Sequence, residues 1–124
     1  MKHEIWYDNK EDVLRERIIG TLTEDDIPEF LAKVAELFEG KTRRRAIIDL
    51  TQASKQVYSK KARQMLSEGS AKLGYEEKIA FVGADPTIRM MAKVLISGAK
   101  FLGKPITAQF FKTDKDAIDW LNRQ

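Results

Sequence analysis

The segment IAFVGADPTIRMMAKVLISGAKFL, residues 79–102, decides how this chain folds. Its first four residues are an uninterrupted apolar run, which is typical of a strand buried on both faces of a parallel sheet. Asp85 and Pro86 then predict the start of a helix, because aspartate is a preferred N-cap and proline is tolerated at the first helical position. The segment therefore predicts one strand followed directly by one helix of an α/β protein.

The predicted helix over residues 86–102 is apolar around more of its circumference than a single core contact needs. The positions expected to face the core are Ile88, Met91, Leu95 and Leu102. A second apolar flank is formed by Met90, Val94 and Phe101. The charged positions form a narrow basic stripe of Arg89, Lys93 and Lys100, which Lys104 would extend. The second flank therefore has to contact a second subunit, a ligand, a membrane or another part of the chain.

The same strand-then-helix order recurs outward from this segment. The predicted strands are residues 4–8, 13–19, 45–50, 79–82 and 106–111. The predicted helices lie between an N-cap at Thr23 or Asp26 and Gly40, between Ser59 and Gly74, over residues 86–102, and after Thr113. The inward positions of the second helix are Ala62, Met65, Leu66, Gly69 and Leu73. Capping-box spacing relates Asp26 to Glu29 and Thr113 to Asp116. We predict a single α/β domain over residues 1–124, with the order β-β-α-β-α-β-α-β-α, an N-terminal hairpin and a mainly parallel central sheet.

The composition is that of one globular domain. The chain has 124 residues, of which 43% are hydrophobic and 33% are charged, and it contains no cysteine. Its first residues lack the apolar run of a signal peptide, and no stretch reaches the ~18 apolar residues of a membrane span. We therefore expect a cytoplasmic protein without stable membrane insertion. The net charge of +3 does not indicate nucleic-acid binding, and the run 43–45 is interpreted as a solvated loop.

No residue pattern indicates catalysis. The single histidine, His3, lies at a terminus, where chains commonly fray. Residues 98–104 match the first seven positions of a phosphate-binding P-loop, but Pro105 stands where Ser or Thr would hold magnesium, and the segment leaves a helix instead of entering one. Asp49 ends a predicted strand and is expected to hydrogen-bond the following loop. We therefore predict no enzyme activity, no catalytic residue, no metal site and no cofactor.

Four segments carry a resemblance to a known family. They are GTLTEDDIPEFL at 20–31, RAIIDLT at 45–51, KIAFVGADPTIRMMAKV at 78–94 and FFKTDKDAIDWL at 110–121. Together with the element order, they resemble the STAS domain, and within it the SpoIIAA-like branch. The resemblance implies a bacterial, non-enzymatic regulatory module that binds protein partners such as an anti-sigma-factor-like kinase. In the bacterial antagonists, a serine at the start of the helix after the third strand is phosphorylated by that partner.

Carried onto this chain, the family's serine falls at or near Ser59. Val57 and Tyr58 replace the Asp-Ser that precedes it in the family, and Lys60 replaces the Gly, so we interpret Ser59 first as a plain N-cap. Nearby lysines and free helix N–H groups would suit a partner or an anion, and a phosphate on Ser59 is expected to stabilise the helix. The candidate contact residues in this turn are Thr51, Ser54, Lys55, Ser59, Lys60, Lys61 and Arg63.

Two functions remain open at this point. The first is a protein-interaction module that acts as a homodimer through Met90, Val94 and Phe101. The alternative is a carrier or sensor of a small apolar or lipid-like molecule, in which the same three residues would line a pocket beneath the helix 86–102.

Overall fold

The computed structural model describes residues 1–56, 58–72 and 77–123 of the chain. Within them, strands and helices follow the predicted order. The strands are β1 (Glu4–Asp8), β2 (Val13–Arg17), β3 (Arg45–Asp49), β4 (Glu77–Val82) and β5 (Ile106–Phe111). The helices are α1 (Ile27–Phe38), α2 (Lys60–Lys72), α3 (Pro86–Phe101) and α4 (Asp114–Leu121). The expectations for Val57, for Leu73 as an inward residue and for Gly74 as a helix stop lie outside the described residues.

The sheet has the spatial order β1-β2-β3-β4-β5, so each strand lies beside its neighbour in the chain. β1 and β2 form the predicted antiparallel hairpin, and the pairs from β2 to β5 are all parallel. Because parallel crossovers are right-handed, strands added in one direction leave their connecting helices on one face. α1, α2 and α3 therefore cover one face of the sheet, and α4, which follows the last strand, covers the other.

Local capping chemistry sets two of the helix starts. The Asp85 carboxylate accepts a hydrogen bond from the Ile88 N–H at 2.8 Å, and the Thr113 hydroxyl accepts one from the Asp116 N–H at 3.2 Å. Both predicted caps are confirmed. The predicted capping box at Asp26 is wrong, since Asp26 makes no side-chain cap bond and its carboxylate accepts hydrogen bonds from His3 and Thr23 instead.

Three further expectations about burial are wrong. Leu102 is 49% exposed, because α3 ends at Phe101 and its buried positions are Ile88, Ala92 and Ala99. His3 is buried and does not fray, since its Nδ1 accepts a hydrogen bond from the Ile19 N–H and its Nε2 lies 3.2 Å from Asp26. The run 43–45 is not simply a solvated loop, because Arg45 is buried beneath the C-terminal end of α4.

Candidate functional site

The exposed flank of α3 is the first candidate surface. Met90 is 69% exposed, Val94 49% and Phe101 90%, so the second apolar flank does lie outside the core. Beside it, the Arg89 guanidinium and the Lys93 ammonium lie over the Phe110 ring, at 5.4 and 5.9 Å from its centroid. The flank is therefore a short apolar stripe with cations along one side.

The basic stripe is shorter than predicted, because Lys104 does not continue it. Lys104 is buried, and its Nζ donates hydrogen bonds to Glu77 Oε2 at 2.5 Å and to Ser70 Oγ at 3.0 Å. Gly103, with φ +97, ends α3 and turns the chain inward, so the lysine enters the protein instead of following the helix surface.

The turn before α2 is the second candidate surface, and Ser59 is its centre. The Ser59 hydroxyl accepts a hydrogen bond from the Ala62 N–H at 3.0 Å, which confirms its interpretation as an N-cap. The same hydroxyl donates to Glu24 Oε2 at 3.2 Å, and Lys61 Nζ lies 3.4 Å from Glu24 Oε1. Glu24 therefore places a carboxylate where the sequence predicted an anion, and it links the segment before α1 to the start of α2.

The other residues of this turn do not converge on Ser59. The Thr51 hydroxyl donates to Asp49 at 2.6 Å, and the Ser54 hydroxyl lies 3.0 Å from that of Thr21. The backbone carbonyl of Lys55 also contacts Thr21, and Arg63 donates to the Tyr58 carbonyl at 3.4 Å. Lys60 is exposed. Thr51, Ser54 and Arg63 therefore make local contacts, and the binding of a partner or an anion at this turn stays a prediction.

Asp49 contacts the following loop, as predicted. Its carboxylate accepts hydrogen bonds from the Thr51 N–H and hydroxyl, and Arg17 Nε lies 3.4 Å away. Burial alone would raise the pKa of Asp49, but the Thr51 hydrogen bonds and the Arg17 charge together lower it below its ordinary value. The group is therefore an ionised structural acceptor that fixes the end of β3.

A cavity of about 170 Å³ lies between the sheet and the helices α1, α2 and α3. On the side of α3, the cavity is lined by Ile88, Met91, Ala92, Leu95, Ile96 and Ala99. A pocket under this helix is thus present, but the prediction that Met90, Val94 and Phe101 line it is wrong. Those three side chains point away from the sheet, because they occupy the opposite side of the helix from Ile88 and Ala92.

Glu16 lies on the floor of this cavity and was missed by the sequence reasoning. It is 4% exposed, lines the cavity with mostly apolar residues, and lies between Ile5 and Ile48 in the sheet. Burial, and to a smaller extent the negative charge of Glu77, raise the pKa of Glu16 to about 8, while the charge of Lys104 opposes this shift. The signal was in the alternation of the sequence, since Leu14 and Glu16 lie on one face of β2 and Ile18, just after the strand, continues the pattern.

A family model described as SpoIIAA-like matches residues 13–122 of the chain. The chain belongs to the SpoIIAA-like family. Among solved structures, a protein of Shewanella loihica with a SpoIIAA-like fold is 20% identical, with a TM-score of 0.63 over 96% of this chain and 93% of that one. The anti-sigma factor antagonist SpoIIAA, in its unphosphorylated form, is 16% identical, with a TM-score of 0.58 over 98% and 99% of the two chains. The search of curated proteins gave no match.

The predicted resemblance and fold class are therefore confirmed for this SpoIIAA-like chain. At these identities the two solved structures establish a shared fold. Within the described residues, none of the helices has the length and apolar character needed to cross a bilayer.

Proposed function

We propose that this SpoIIAA-like protein is a regulatory module that works by binding, not by catalysis. Its family membership supports this, since the solved relative SpoIIAA is an anti-sigma factor antagonist. The observation that carries the proposal is the apolar stripe on α3, where Phe101 is 90% exposed beside Val94 and Met90. Large apolar side chains grouped on a surface are typical of interaction sites.

The occupant that fits this stripe is a second copy of the chain. Met90, Val94 and Phe101 lie within about 40° of one another around α3, and the cations Arg89, Lys93 and Lys100 lie to one side only. A two-fold axis parallel to α3 would bring the two apolar stripes face to face and place the two basic rows on opposite sides. The stripe has three exposed apolar side chains, fewer than the roughly 20–30 residues per partner of a standard interface, so we expect a weak dimer.

This proposal is tested by measuring mass in solution. The wild-type protein, of 14.2 kDa, should approach twice that mass in light scattering at high micromolar concentration. Val94→Glu should be a folded monomer under the same conditions, because it buries a charge at the centre of the contact. Ala32→Glu, at an exposed position of α1, is the matched control and should dimerise as the wild type does. A monomeric wild type at these concentrations would contradict the homodimer.

A second function is favoured by a separate observation, the cavity beneath α3. We infer that the protein binds a small apolar molecule there. Its volume of about 170 Å³ is similar to that of an engineered apolar cavity of roughly 150 Å³ that binds benzene in another protein. The lining is mostly aliphatic and aromatic, with Phe30, Phe81 and Leu95 among its residues. Apolar contact is therefore the main source of affinity expected.

Toluene tests this second function. It should raise the melting temperature of the wild type, since a ligand that binds only the folded state stabilises it. Ala92→Leu adds a side chain from the buried, cavity-lining face of α3 and should weaken the effect by filling the space. Ala32→Leu adds the same side chain on the surface of α1 and is the control. An equal toluene effect in both variants would show that the molecule binds elsewhere.

A further inference from the structure

The unexplained group in the cavity is the Glu16 carboxyl. In the sheet register, Glu16 lies beside Ile48, and Ile48 lies beside Phe81, so it stands in a row of apolar side chains on the cavity face. Among the described residues, none donates a hydrogen bond to this carboxyl. It is thus a polar side chain, 4% exposed, that lines a mostly apolar cavity and has no hydrogen-bonding partner among the described residues.

The other polar groups at the cavity have their partners. Gln56 Oε1 accepts hydrogen bonds from the Leu22 N–H and the Tyr58 hydroxyl, and its Nε2 donates to the Gly20 and Ser54 carbonyls. Glu77 Oε2 accepts a hydrogen bond from Lys104 Nζ at 2.5 Å. Among the described polar side chains that line the cavity, Glu16 is therefore the one whose carboxyl can still form hydrogen bonds.

Packing does not account for a glutamate at this position. A buried polar group without a partner costs about 1–3 kcal/mol, and a leucine of similar size would fill the same space without that cost. The other buried charged side chains of the described residues make hydrogen bonds, such as those of Lys104 to Glu77 and Ser70. A partner that is not part of the chain would explain why Glu16 differs.

We propose that Glu16 is the polar anchor of the cavity and binds the hydroxyl group of a small, neutral, otherwise apolar molecule. This proposal rests on the second candidate function, because it requires the cavity to bind a ligand. A protonated carboxyl donates one hydrogen bond and accepts another, which matches a hydroxyl group. Burial favours this neutral form of Glu16, with a pKa of about 8, and the negative charge of Glu77 opposes a carboxylate on the ligand. A ligand cation would require Glu16 to lose its proton first.

Three probes of matched shape test this chemistry at pH 6.5. Ethylbenzene is apolar, benzyl alcohol carries a hydroxyl group, and benzylamine carries a cation. Their affinities are measured by calorimetry for the wild type, Glu16→Leu and Glu16→Gln. Because the probes differ in hydration, the quantity compared is the ratio of the ethylbenzene and benzyl alcohol dissociation constants in each protein.

This ratio should be about tenfold higher in the wild type than in Glu16→Leu, as expected for one hydrogen bond of about 1.4 kcal/mol. Glu16→Gln keeps a donor and an acceptor and should retain part of the preference. Glu36→Gln removes an exposed carboxylate from α1 and should match the wild type. As a second measurement, the ¹³C signal of the Glu16 carboxyl should shift more with benzyl alcohol than with ethylbenzene, which offers no hydrogen bond.

The outcomes distinguish a failure of the proposed role of Glu16 from a failure of apolar-ligand binding in the cavity. If ethylbenzene binds and the ratio is the same in Glu16→Leu, the cavity function stands and the anchor is overturned. A larger Glu16-dependent gain for benzylamine would also overturn it, because the ligand class would then be cationic. If neither ethylbenzene nor benzyl alcohol binds any of the proteins, the cavity function itself fails.

Discussion

Two buried ionisable side chains on opposite faces of the sheet, Arg45 and Glu16, have different surroundings. On the α4 face, the Arg45 guanidinium donates hydrogen bonds to four acceptors at 2.9–3.0 Å, namely the carbonyls of Leu121, Glu11 and Asp12 and the side chain of Asn122. On the opposite face, Glu16 lies in the wall of a cavity, among apolar side chains.

This difference separates a structural group from a candidate binding group. Arg45 joins the end of α4 to the β1–β2 turn, which are far apart in sequence. Its Nε has no hydrogen-bond partner among the described residues, but its two terminal nitrogens make the four bonds, and removing them leaves carbonyl groups unpaired. The Glu16 carboxyl makes no hydrogen bond with the described residues, and its burial outweighs the attraction of the Lys104 charge. We therefore expect mutations at the two positions to change stability in opposite directions.

The largest expected effect is at Arg45. Arg45→Met keeps much of the aliphatic stem and removes the four hydrogen bonds, so the free energy of unfolding should fall by about 4 kcal/mol. Urea denaturation measures this change. Arg44→Met, at the neighbouring position, is the control and should cost much less. If Arg45→Met lowers the free energy of unfolding by less than about 1 kcal/mol, Arg45 does not have the structural role given to it.

The next effect is the pH dependence that Glu16 imposes. Its pKa is raised from 4.5 to about 8, so between these values the folded protein holds a proton that the unfolded chain releases. The stability contributed by this proton is fully present below the unfolded pKa and is lost as the pH rises through the folded pKa. From pH 5 to pH 8, the free energy of unfolding of the wild type should fall by about 3 kcal/mol relative to Glu16→Gln. If the free energies of unfolding of the wild type and of Glu16→Gln change with pH in parallel, the pKa of Glu16 is not raised by folding.

A smaller effect, of opposite sign to that of Arg45, is expected for Glu16→Leu at pH 7. The substitution removes an unpartnered carboxyl and adds apolar contact, so the free energy of unfolding should rise by about 2 kcal/mol. Chemical denaturation at fixed pH measures it. Destabilisation by Glu16→Leu would show that the carboxyl supports the fold, and the contrast between the two faces would disappear.

The smallest expected change in stability is at Ser59, in the turn before α2, which belongs to neither face of the sheet. The contact of Ser59 with Glu24 changes the expectation that a negative charge on Ser59 is stabilising. Ser59→Asp should lower the free energy of unfolding by about 0.5 kcal/mol, because it places two carboxylates together although aspartate also caps helices. In a double-mutant cycle, Glu24→Gln should cancel this loss. An equal loss in both backgrounds would show that Glu24 has no part in it.

The elements of the fold could be predicted because their signals are local. Asp85 and Thr113 cap helices through hydrogen bonds to the third residue along the chain, and the apolar run of β3 is contiguous. The periodicity of α3 also identified Met90, Val94 and Phe101 as a flank outside the core. It could not show how far α1 and α2 stand from the sheet, so the lining of the pocket beneath α3 was not predictable.

The buried charges were misjudged for a related reason. The partners of Arg45 include Leu121, 76 positions away, and Lys104 pairs with Glu77, 27 positions away. A sequence pattern shows a basic residue but not the acceptor that the fold brings to it. Glu16 was detectable as a charged residue on an apolar strand face, but its lack of a partner is a property of the folded structure.

The most direct test of the contrast is the titration of the Glu16 carboxyl in the folded protein. Its ¹³C chemical shift, assigned by its absence from the spectrum of Glu16→Gln, is followed from pH 4 to pH 9. A carboxyl held neutral by the cavity should titrate with a midpoint near 8. A midpoint near the ordinary value of 4.5 would mean that Glu16 is solvated or paired, and would contradict the account.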